Sequence, residues 1–229
     1  MKPIYIVQNW PTEAPGMIED YVQERGLEYH ILKNFDHEPF PSVETPEAVI
    51  VLGFPYTVND YLKYDQMKSL WAFMAAVMRR GTHLMGMCFG GQMLAKILGA
   101  EVSRNPVKEI GCYRVSLTET GRKDSLFKGF DSEFDVFQWH ADTFKIPRGS
   151  DHLAQSELCP NQAFRKGRSV GIQFHLDPRP EDVPNWCDEY AEELAEEGKS
   201  KDQVVAEYEE RAAGLRTLCY RLHDNFLAL

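Results

Sequence analysis

Residues Thr82 to Gly99 read THLMGMCFGGQMLAKILG, and this stretch decides the fold. Residues Leu84 to Met87 are mostly apolar, as is typical of a buried strand, whereas Met93 to Leu98 carries apolar residues at helical spacing. Glycines on both sides of Cys88 allow the close packing and positive φ angles that a sharp strand-to-helix turn requires. The pattern therefore predicts a turn that presents Cys88 at the end of a strand.

A cysteine at this position has the surroundings that a nucleophile needs. The N-terminus of the following helix offers unpaired N–H groups and a partial positive charge, which favour the thiolate. The same N–H groups, beginning with that of Phe89, would bind the oxyanion that forms when sulfur attacks a carbonyl. A buried structural cysteine at a tight turn would explain the glycines as well, so this motif alone leaves both interpretations open.

Strands and helices alternate before this stretch. Because ligands bind beyond the carboxyl ends of parallel strands, the loop that starts at Gly53 should lie beside Cys88. The alternation predicts right-handed βαβ units and a parallel sheet. The predicted strands are Lys2–Gln8, Tyr29–Leu32 and Ala48–Leu52, and the predicted helices are Met17–Arg25 and Tyr64–Arg80.

The chain changes character after Gly99. Short β-rich runs separated by Gly, Pro, Asn and Asp predict antiparallel hairpins, and the pattern becomes helical from Val183 onward. We therefore predict a single α/β domain over residues 1–229, with an acidic helical segment at about 183–229. The expected architecture is a flavodoxin-like three-layer sandwich whose central sheet is mostly parallel, with a small antiparallel extension. The predicted hairpin strands are Ile110–Leu117, Asp135–Trp139, His152–Glu157, Gln162–Lys166 and Ser169–Phe174.

The charge distribution excludes some classes of partner. The formal net charge is −10, and residues 181–210 hold twelve acidic residues against two lysines, so the excess of ten lies in this one segment. Without a basic face, nucleic-acid binding is disfavoured, and the acidic segment is interpreted as a solvated helix face. No apolar run reaches membrane-spanning length and no signal-peptide pattern is present, so we expect a cytoplasmic protein that does not bind membranes.

Cysteine and histidine spacing gives no indication of a metal. The five cysteines are scattered, and an odd number in a chain expected in the cytosol favours free thiols. Neither a CxxC nor an HxxxH pair occurs, so we expect no metal and no cofactor.

A cysteine nucleophile also requires a base and a group that orients the base. His175 follows the predicted strand Ser169–Phe174, and Asp177 lies two residues further on. Residues two apart at a strand end point the same way, so the carboxylate could hold the imidazole tautomer. On this evidence alone a loop histidine without a catalytic role is the simpler interpretation.

Four motifs in order resemble those of the class I, triad-type glutamine amidotransferases. Gly86-Met-Cys-Phe-Gly-Gly-Gln92 resembles the G-x-C-x-G-x-Q segment of that family, and Gly171-Ile-Gln-Phe-His175-Leu-Asp177 resembles its G-x-Q-x-H-P-E segment. Val51-Leu-Gly-Phe-Pro55 is similar to the oxyanion loop G-G-P, and Val136 to Phe144 is similar to the H-G-D segment.

The resemblance implies a role for each matching residue. Cys88 would attack the side-chain amide of glutamine or of another γ-glutamyl compound and form a γ-glutamyl thioester. His175 would be the general base and acid, and Asp177 would orient it. The backbone N–H groups of Phe54 and Phe89 would bind the oxyanion. The residues implied to lie near the substrate are Gly53, Gln92, Gln138, Trp139 and His140.

Three positions depart from the family pattern. Asp177 is one methylene shorter than the usual glutamate, Phe54 replaces a glycine beside the pocket, and Leu176 replaces a proline. Free-standing relatives either pass ammonia to a separate synthase or cut γ-glutamyl bonds without a partner. The alternatives are therefore a glutamine amidohydrolase, a γ-glutamyl peptidase for larger conjugates, and a catalytically silent binding or regulatory relative.

Overall fold

The computed structural model describes residues 2–229 and contains one sheet of nine strands with helices on both faces. The strands are β1 Ile4–Gln8, β2 Tyr29–Lys33, β3 Ala48–Val51, β4 His83–Met87, β5 Val102–Leu117, β6 Glu133–Phe144, β7 Asp151–Gln155, β8 Ala163–Lys166 and β9 Ser169–Ile172. The α-helices are α1 Met17–Glu24, α2 Asp65–Arg80, α3 Phe89–Ile97, α4 Asp182–Glu189, α5 Ala191–Glu196, α6 Lys201–Glu209 and α7 Ala212–Leu227. Short 3-10 helices span Asn34–Asp36, Val58–Lys63, Gly121–Lys123 and Ser125–Phe127.

The sheet is parallel at one end and antiparallel at the other. Its strand order is β2-β1-β3-β4-β9-β8-β7-β5-β6, and the pairs from β2 to β9 are parallel. The pairs from β9 to β6 are antiparallel. The predicted α/β, flavodoxin-like architecture is thus confirmed, but the antiparallel part comprises about half of the sheet and is larger than the small extension we expected.

Alternating side chains on the parallel strands build the two apolar layers. Ile50 lies in the layer covered by α1 and by the C-terminal helices α4–α7. Its neighbours Val49 and Val51 lie in the layer covered by α2 and α3. Strands that are apolar on both faces and covered by helices are typical of parallel sheets, so the run Ala48–Leu52 gave the correct strand.

The hairpin of β5 and β6 is longer than its sequence indicates. The sequence predicts strands only at Ile110–Leu117 and Asp135–Trp139, and the mostly polar residues 102–109 include Pro106. The pairing of β5 with β6 is irregular between Arg104 and Glu109, and this bulge accommodates the proline.

Two further expectations concern the cysteines and the membrane. All five cysteines are free, as predicted from their odd number. Within residues 2–229, every helix is too short or too polar to cross a lipid bilayer.

The turn between β4 and α3 depends on glycines because backbone atoms approach closely there. A Cβ atom on Gly86 would lie 2.3 Å from the carbonyl oxygen of Gly90, and one on Gly90 would lie 2.3 Å from that of Val51. A Cβ atom on Gly91 would lie 2.5 Å from the carbonyl oxygen of Ile172. These glycines therefore allow α3 to start directly against β3 and β9.

This packing predicts opposite effects for the same substitution at two helical glycines. Gly90→Ala should lower the free energy of unfolding by about 1–3 kcal/mol, because its methyl group would collide with the backbone of Val51. Gly214→Ala in α7, where a Cβ meets nothing within 4 Å, should raise it by about 0.5–1 kcal/mol. Denaturant titration of both variants measures the difference, and similar changes would contradict the role assigned to Gly90.

Candidate active site

Cys88 connects β4 to α3 in a backbone conformation that is unusual for a residue with a side chain. Its φ is 48° and its ψ is −109°. The N–H of Cys88 donates to the carbonyl oxygen of Ile172 at 2.9 Å, which ties the turn to β9. Such strain is stored at functional sites when the surroundings hold it in place. The side chain lines a cavity, and the Sγ lies 3.8 Å from the carbonyl oxygen of Trp139.

His175 and Asp177 lie beside each other in the same region. Nδ1 of His175 is 3.0 Å from Oδ1 of Asp177, so the shorter aspartate reaches the imidazole. Since a carboxylate accepts, Nδ1 carries the proton and Nε2 is left for Cys88. Both side chains are buried, and His175 also lines the cavity.

The main chain of His175 is held by β6. The N–H of Phe137 donates to the carbonyl oxygen of His175 at 3.0 Å, and the N–H of His175 donates back at 2.8 Å. This isolated bridge continues the sheet beyond the end of β9. The histidine is thus held between the parallel and antiparallel parts of the sheet.

The charge state of His175 reflects two opposing effects. Burial disfavours the charged imidazolium, but the charge of Asp177, their hydrogen bond and the neighbouring Cys88 outweigh it. The pKa of His175 is therefore raised well above its ordinary value of 6.5. An imidazole with a raised pKa can hold the proton that a leaving nitrogen requires.

Two glutamine side chains support Cys88 from behind. Gln173 Nε2 donates to Cys88 Sγ at 3.6 Å. Gln92 Nε2 donates to Gln173 Oε1 at 3.3 Å and to the carbonyl oxygen of Asp142 at 3.0 Å. Gln92 was expected from its motif but Gln173 was not, although Gln173 lies in the G-x-Q-x-H segment.

Phe54 and Phe89 flank the sulfur. Phe89 is the first residue of α3, so its N–H has no acceptor within the helix. The ring of Phe54 packs edge-on against Phe89 with centroids 5.1 Å apart, and against Trp10 and Tyr56 at 5.9 and 5.2 Å. Phe54 thus adds an apolar wall to the cavity where the family pattern has glycine.

The cavity beside Cys88 measures about 290 Å³. Of the residues implied to lie near the substrate, Gln92, Trp139 and His140 line it. Gln138 does not line the cavity, because it is fully buried and donates to Gln162 Oε1 at 2.9 Å. Gly53 does not line the cavity either, but it lies against the carboxyl group of Glu13, which does.

His140 takes part in a buried polar cluster. Its Nε2 is 2.8 Å from Glu109 Oε2 and its Nδ1 is 3.0 Å from the carbonyl oxygen of Asp142. Glu109, His140 and Cys159 each offer a potential metal ligand within 4.8 Å of one another. Protein groups already contact two of them, since Gln162 Nε2 donates to Glu109 Oε2 at 3.1 Å and Cys159 Sγ lies 3.1 Å from Thr143 Oγ1. We therefore interpret the cluster as support for the strand end.

One wall of the cavity was not expected from the sequence. Glu13, in the loop after β1, lines it together with Trp186 on α4 and Tyr190 between α4 and α5. Glu193 and Glu196 of α5 line it as well and form ion pairs with Lys108 at 3.3 and 3.0 Å. Part of the acidic segment is therefore a wall of the cavity and not only the solvated face that we expected. Since β1 is adjacent to β3 in the sheet, the rule that indicated Gly53 would also have indicated the loop of Glu13.

Glu13 is a buried carboxyl group that forms no ion pair with a lysine or arginine among residues 2–229. Tyr190 donates its hydroxyl to Oε1 of Glu13 at 2.9 Å. Burial raises the pKa of Glu13 from 4.5 to about 7, against the opposing effects of His175 and the Tyr190 hydrogen bond. The residue therefore changes charge near neutral pH.

Known proteins with a similar sequence and structure point to one family. The family described as glutamine amidotransferase class-I matches residues 14–185. The glutamine amidotransferase-like protein YfeJ of Salmonella typhimurium is 28% identical over 210 residues, which cover 89% of this chain and 88% of that protein. A glutamine-hydrolysing GMP synthase subunit of Archaeoglobus fulgidus is 33% identical over 175 residues, covering 75% of this chain and 87% of that protein.

A solved structure agrees with these sequence matches. The crystal structure of a glutamine amidotransferase from Thermotoga maritima superposes with a TM-score of 0.93 at 28% identity. The match covers 100% of this chain and 99% of that chain, so it includes the C-terminal helices that extend past the family segment.

The buried carboxyl group of Glu13 predicts that the stability difference between the wild-type protein and Glu13→Gln depends on pH. Between the unfolded pKa near 4.5 and the folded pKa near 7, the native state holds a proton that the unfolded state releases, so stability falls as pH rises through this window. Glu13→Gln should remove this loss and raise the free energy of unfolding by roughly 2–3 kcal/mol at pH 8, with little change at pH 4.5. Chemical denaturation at both pH values measures it. The control Glu192→Gln, at an exposed position of α5, should change stability little at either pH.

Proposed function

Since the chain belongs to the glutamine amidotransferase class-I family, we propose that it hydrolyses the γ-amide of glutamine or of a related γ-glutamyl compound. Cys88 is the nucleophile, His175 the general base and acid, and Asp177 the group that orients His175. The observation that carries this proposal is the His175–Asp177 hydrogen bond of 3.0 Å beside the same cavity that Cys88 lines.

The first half of the reaction forms a thioester. Nε2 of His175 takes the proton of the Cys88 thiol, and Sγ attacks the amide carbon. The resulting oxyanion accepts hydrogen bonds from the N–H groups of Phe54 and Phe89. The imidazolium of His175 gives its proton to the nitrogen, and the carbon–nitrogen bond breaks. Ammonia or an amine leaves, and the glutamyl group remains bound to sulfur.

The second half of the reaction regenerates the cysteine. His175, now neutral, takes a proton from water, and the resulting hydroxide attacks the thioester carbonyl. The carbon–sulfur bond breaks and glutamate is released. Asp177 keeps Nδ1 protonated in both halves, so that Nε2 alone exchanges protons with the substrate.

The antiparallel hairpin supports recognition of the glutamyl main chain. Gln92, Trp139 and His140 line the cavity on this side, and Arg104 lies at its rim, 3.4 Å from Asp142. An exposed guanidinium at the rim suits the α-carboxylate of a glutamyl substrate. Glutamine is the simplest substrate that fits this arrangement.

A γ-glutamyl peptidase that cuts larger conjugates is the second candidate. The cavity extends from Cys88 to Glu193 and Glu196 on α5, beyond the region matched by the family. This extra wall would contact a leaving group larger than ammonia. Comparing ammonia release from glutamine with amine release from γ-glutamyl conjugates distinguishes the two functions.

A separate synthase that accepts ammonia is a possible partner under the first candidate. The name of the Archaeoglobus fulgidus relative describes it as one component of a GMP synthase. If this chain works in the same way, glutamine hydrolysis should increase when the partner and its acceptor substrate are present. A catalytically silent relative would instead show the same background rate as Cys88→Ala with and without partners.

The nucleophile is tested with an electrophilic chloroketone analogue of glutamine. The wild-type protein should be alkylated at Cys88, and Cys88→Ala should release no glutamate above background. Cys112→Ala, which changes a thiol outside the cavity, should leave labelling and activity unchanged. Peptide mapping by mass spectrometry identifies the labelled residue, and a folded wild-type protein without label at Cys88 would disprove the assignment.

The orienting role of Asp177 predicts a graded loss of activity. Asp177→Asn should lower kcat by about 10²- to 10⁴-fold, since the amide can donate to Nδ1 and stabilise the wrong tautomer. Asp177→Glu keeps the charge but adds a methylene to a buried site, so we expect a smaller loss of about ten-fold. Steady-state glutamate release measures both, with Asp188→Asn at an exposed position of α4 as the control. A kcat for Asp177→Asn within two-fold of wild type would exclude the role.

A further inference from the structure

The position of the leaving group follows from the proposed reaction. His175 protonates the departing nitrogen, so this nitrogen must lie within hydrogen-bond distance of the imidazole. The Trp186 ring stands perpendicular to the His175 ring with centroids 5.0 Å apart. The charge of His175 is also the largest influence that favours the ionised form of Glu13. The side of the cavity that receives the leaving group is therefore the side of Trp186 and Glu13.

Glu13 has a free acceptor on this side. Tyr190 binds one carboxylate oxygen, while the other, Oε2, lies against Gly53 and takes part in no hydrogen bond within residues 2–229. The side chain is about nine-tenths buried yet lines the cavity. A buried carboxylate without a partner is costly, and a ligand that donates N–H groups would offset that cost.

Aromatic rings complete the surroundings of this carboxylate. Trp139 lies 6.2 Å from Trp186 and 5.6 Å from Tyr190, measured between ring centroids. All three rings line the cavity. Carboxylates and aromatic faces both attract ammonium groups, whereas a second carboxylate would be repelled.

The positive charges of the cavity are paired with carboxylates. Lys108 is held by Glu193 and Glu196, and Arg104 lies beside Asp142 at the end where we place the glutamyl main chain. On the leaving-group side, the imidazolium of His175 is likewise held by Asp177, so among the described residues each cation near Glu13 already has a carboxylate partner. This asymmetry separates an anion-binding end from an amine-binding end.

We propose that Glu13, Trp186 and Tyr190 form a subsite for the leaving group. This subsite prefers substrates whose leaving group carries, besides the reacting nitrogen, a second amine with a positive charge. This inference depends on the proposed function. Glu13 acts here as a specificity residue: its carboxylate accepts hydrogen bonds from the leaving amine and does not exchange protons with the reacting bond. The overall reaction is γ-glutamyl amide plus water to glutamate plus amine.

Three γ-glutamyl amides of similar size test the subsite. Their leaving groups are ethylenediamine, ethanolamine and glycine, which at neutral pH give a positive, a neutral and a negative tail. For the wild-type protein we expect kcat/KM to decrease in that order. In Glu13→Gln, the ratio of the positive to the negative substrate should fall by about 10- to 100-fold, as expected for a hydrogen bond to a charged group.

Two controls separate charge from structure. Glu13→Asp keeps the charge and should retain part of the preference, and Glu192→Gln removes an exposed charge of α5 and should retain all of it. Thermal melting and circular dichroism establish that each variant is folded. A substitution that only perturbs packing would lower kcat/KM for all three substrates together and leave their ratio unchanged.

Alkylation of Cys88 by the chloroketone tests the nucleophile without the leaving-group subsite, because this probe releases chloride and not an amine. Failure of the subsite and failure of the proposed function can therefore be distinguished. If Glu13→Gln is labelled like wild type and the substrate ratio is unchanged, the subsite is disproved while the nucleophile assignment stands. A wild-type ratio near one would also disprove the subsite. If wild type neither reacts with the chloroketone nor releases glutamate, the proposed function fails and this inference fails with it.

Discussion

The close approach of backbone atoms at Gly86, Gly90 and Gly91 is the constraint on which the rest of the site depends. It lets α3 begin directly at the end of β4 and keeps Cys88 at a positive φ, a conformation that costs of order 1–3 kcal/mol in a residue with a side chain. The hydrogen bond from Cys88 N–H to Ile172 then fixes the turn against β9. One local packing arrangement therefore places the sulfur, the N–H of Phe89 and the strand that leads to His175.

The boundary between the two halves of the sheet positions the other groups to which we assign the chemistry. β9 pairs in parallel with β4 and antiparallel with β8, and the chain beyond it bonds to Phe137 of β6. This brings His175 from one half and Trp139 from the other to the cavity that Cys88 lines. The larger antiparallel part thus forms part of the cavity wall, because its long hairpin carries Trp139 to Asp142 and the bulge with Arg104 and Lys108.

Local sequence patterns could predict the parallel half and the turn but not the complete cavity. The apolar run Ala48–Leu52 and the glycines around Cys88 each carry their own structural signal. The polar residues of β5 near Pro106 gave no such signal, because a bulge and a partner strand decide their conformation. Gln173 lies in a recognisable motif and Glu13 in a loop at a strand end, but the contacts that define their roles, and that of Tyr190, span 85 to 177 positions of sequence, and no local pattern encodes such contacts.

The loop between β1 and α1 connects stability with specificity. Its end at Gly16 and Met17 holds the main chain of Asp177, since Met17 N–H donates to the Asp177 carbonyl oxygen at 2.6 Å. A Cβ atom on Gly16 would lie 2.0 Å from that oxygen, so the glycine lets the loop approach closely enough to position the shorter acid. The same loop holds Glu13 buried and without a cation, which destabilises the folded protein above neutral pH. A glutamine there would be more stable and could still accept the hydrogen bond of Tyr190. The proposed binding of a leaving amine is therefore an explanation for the carboxylate at this position that stability does not supply.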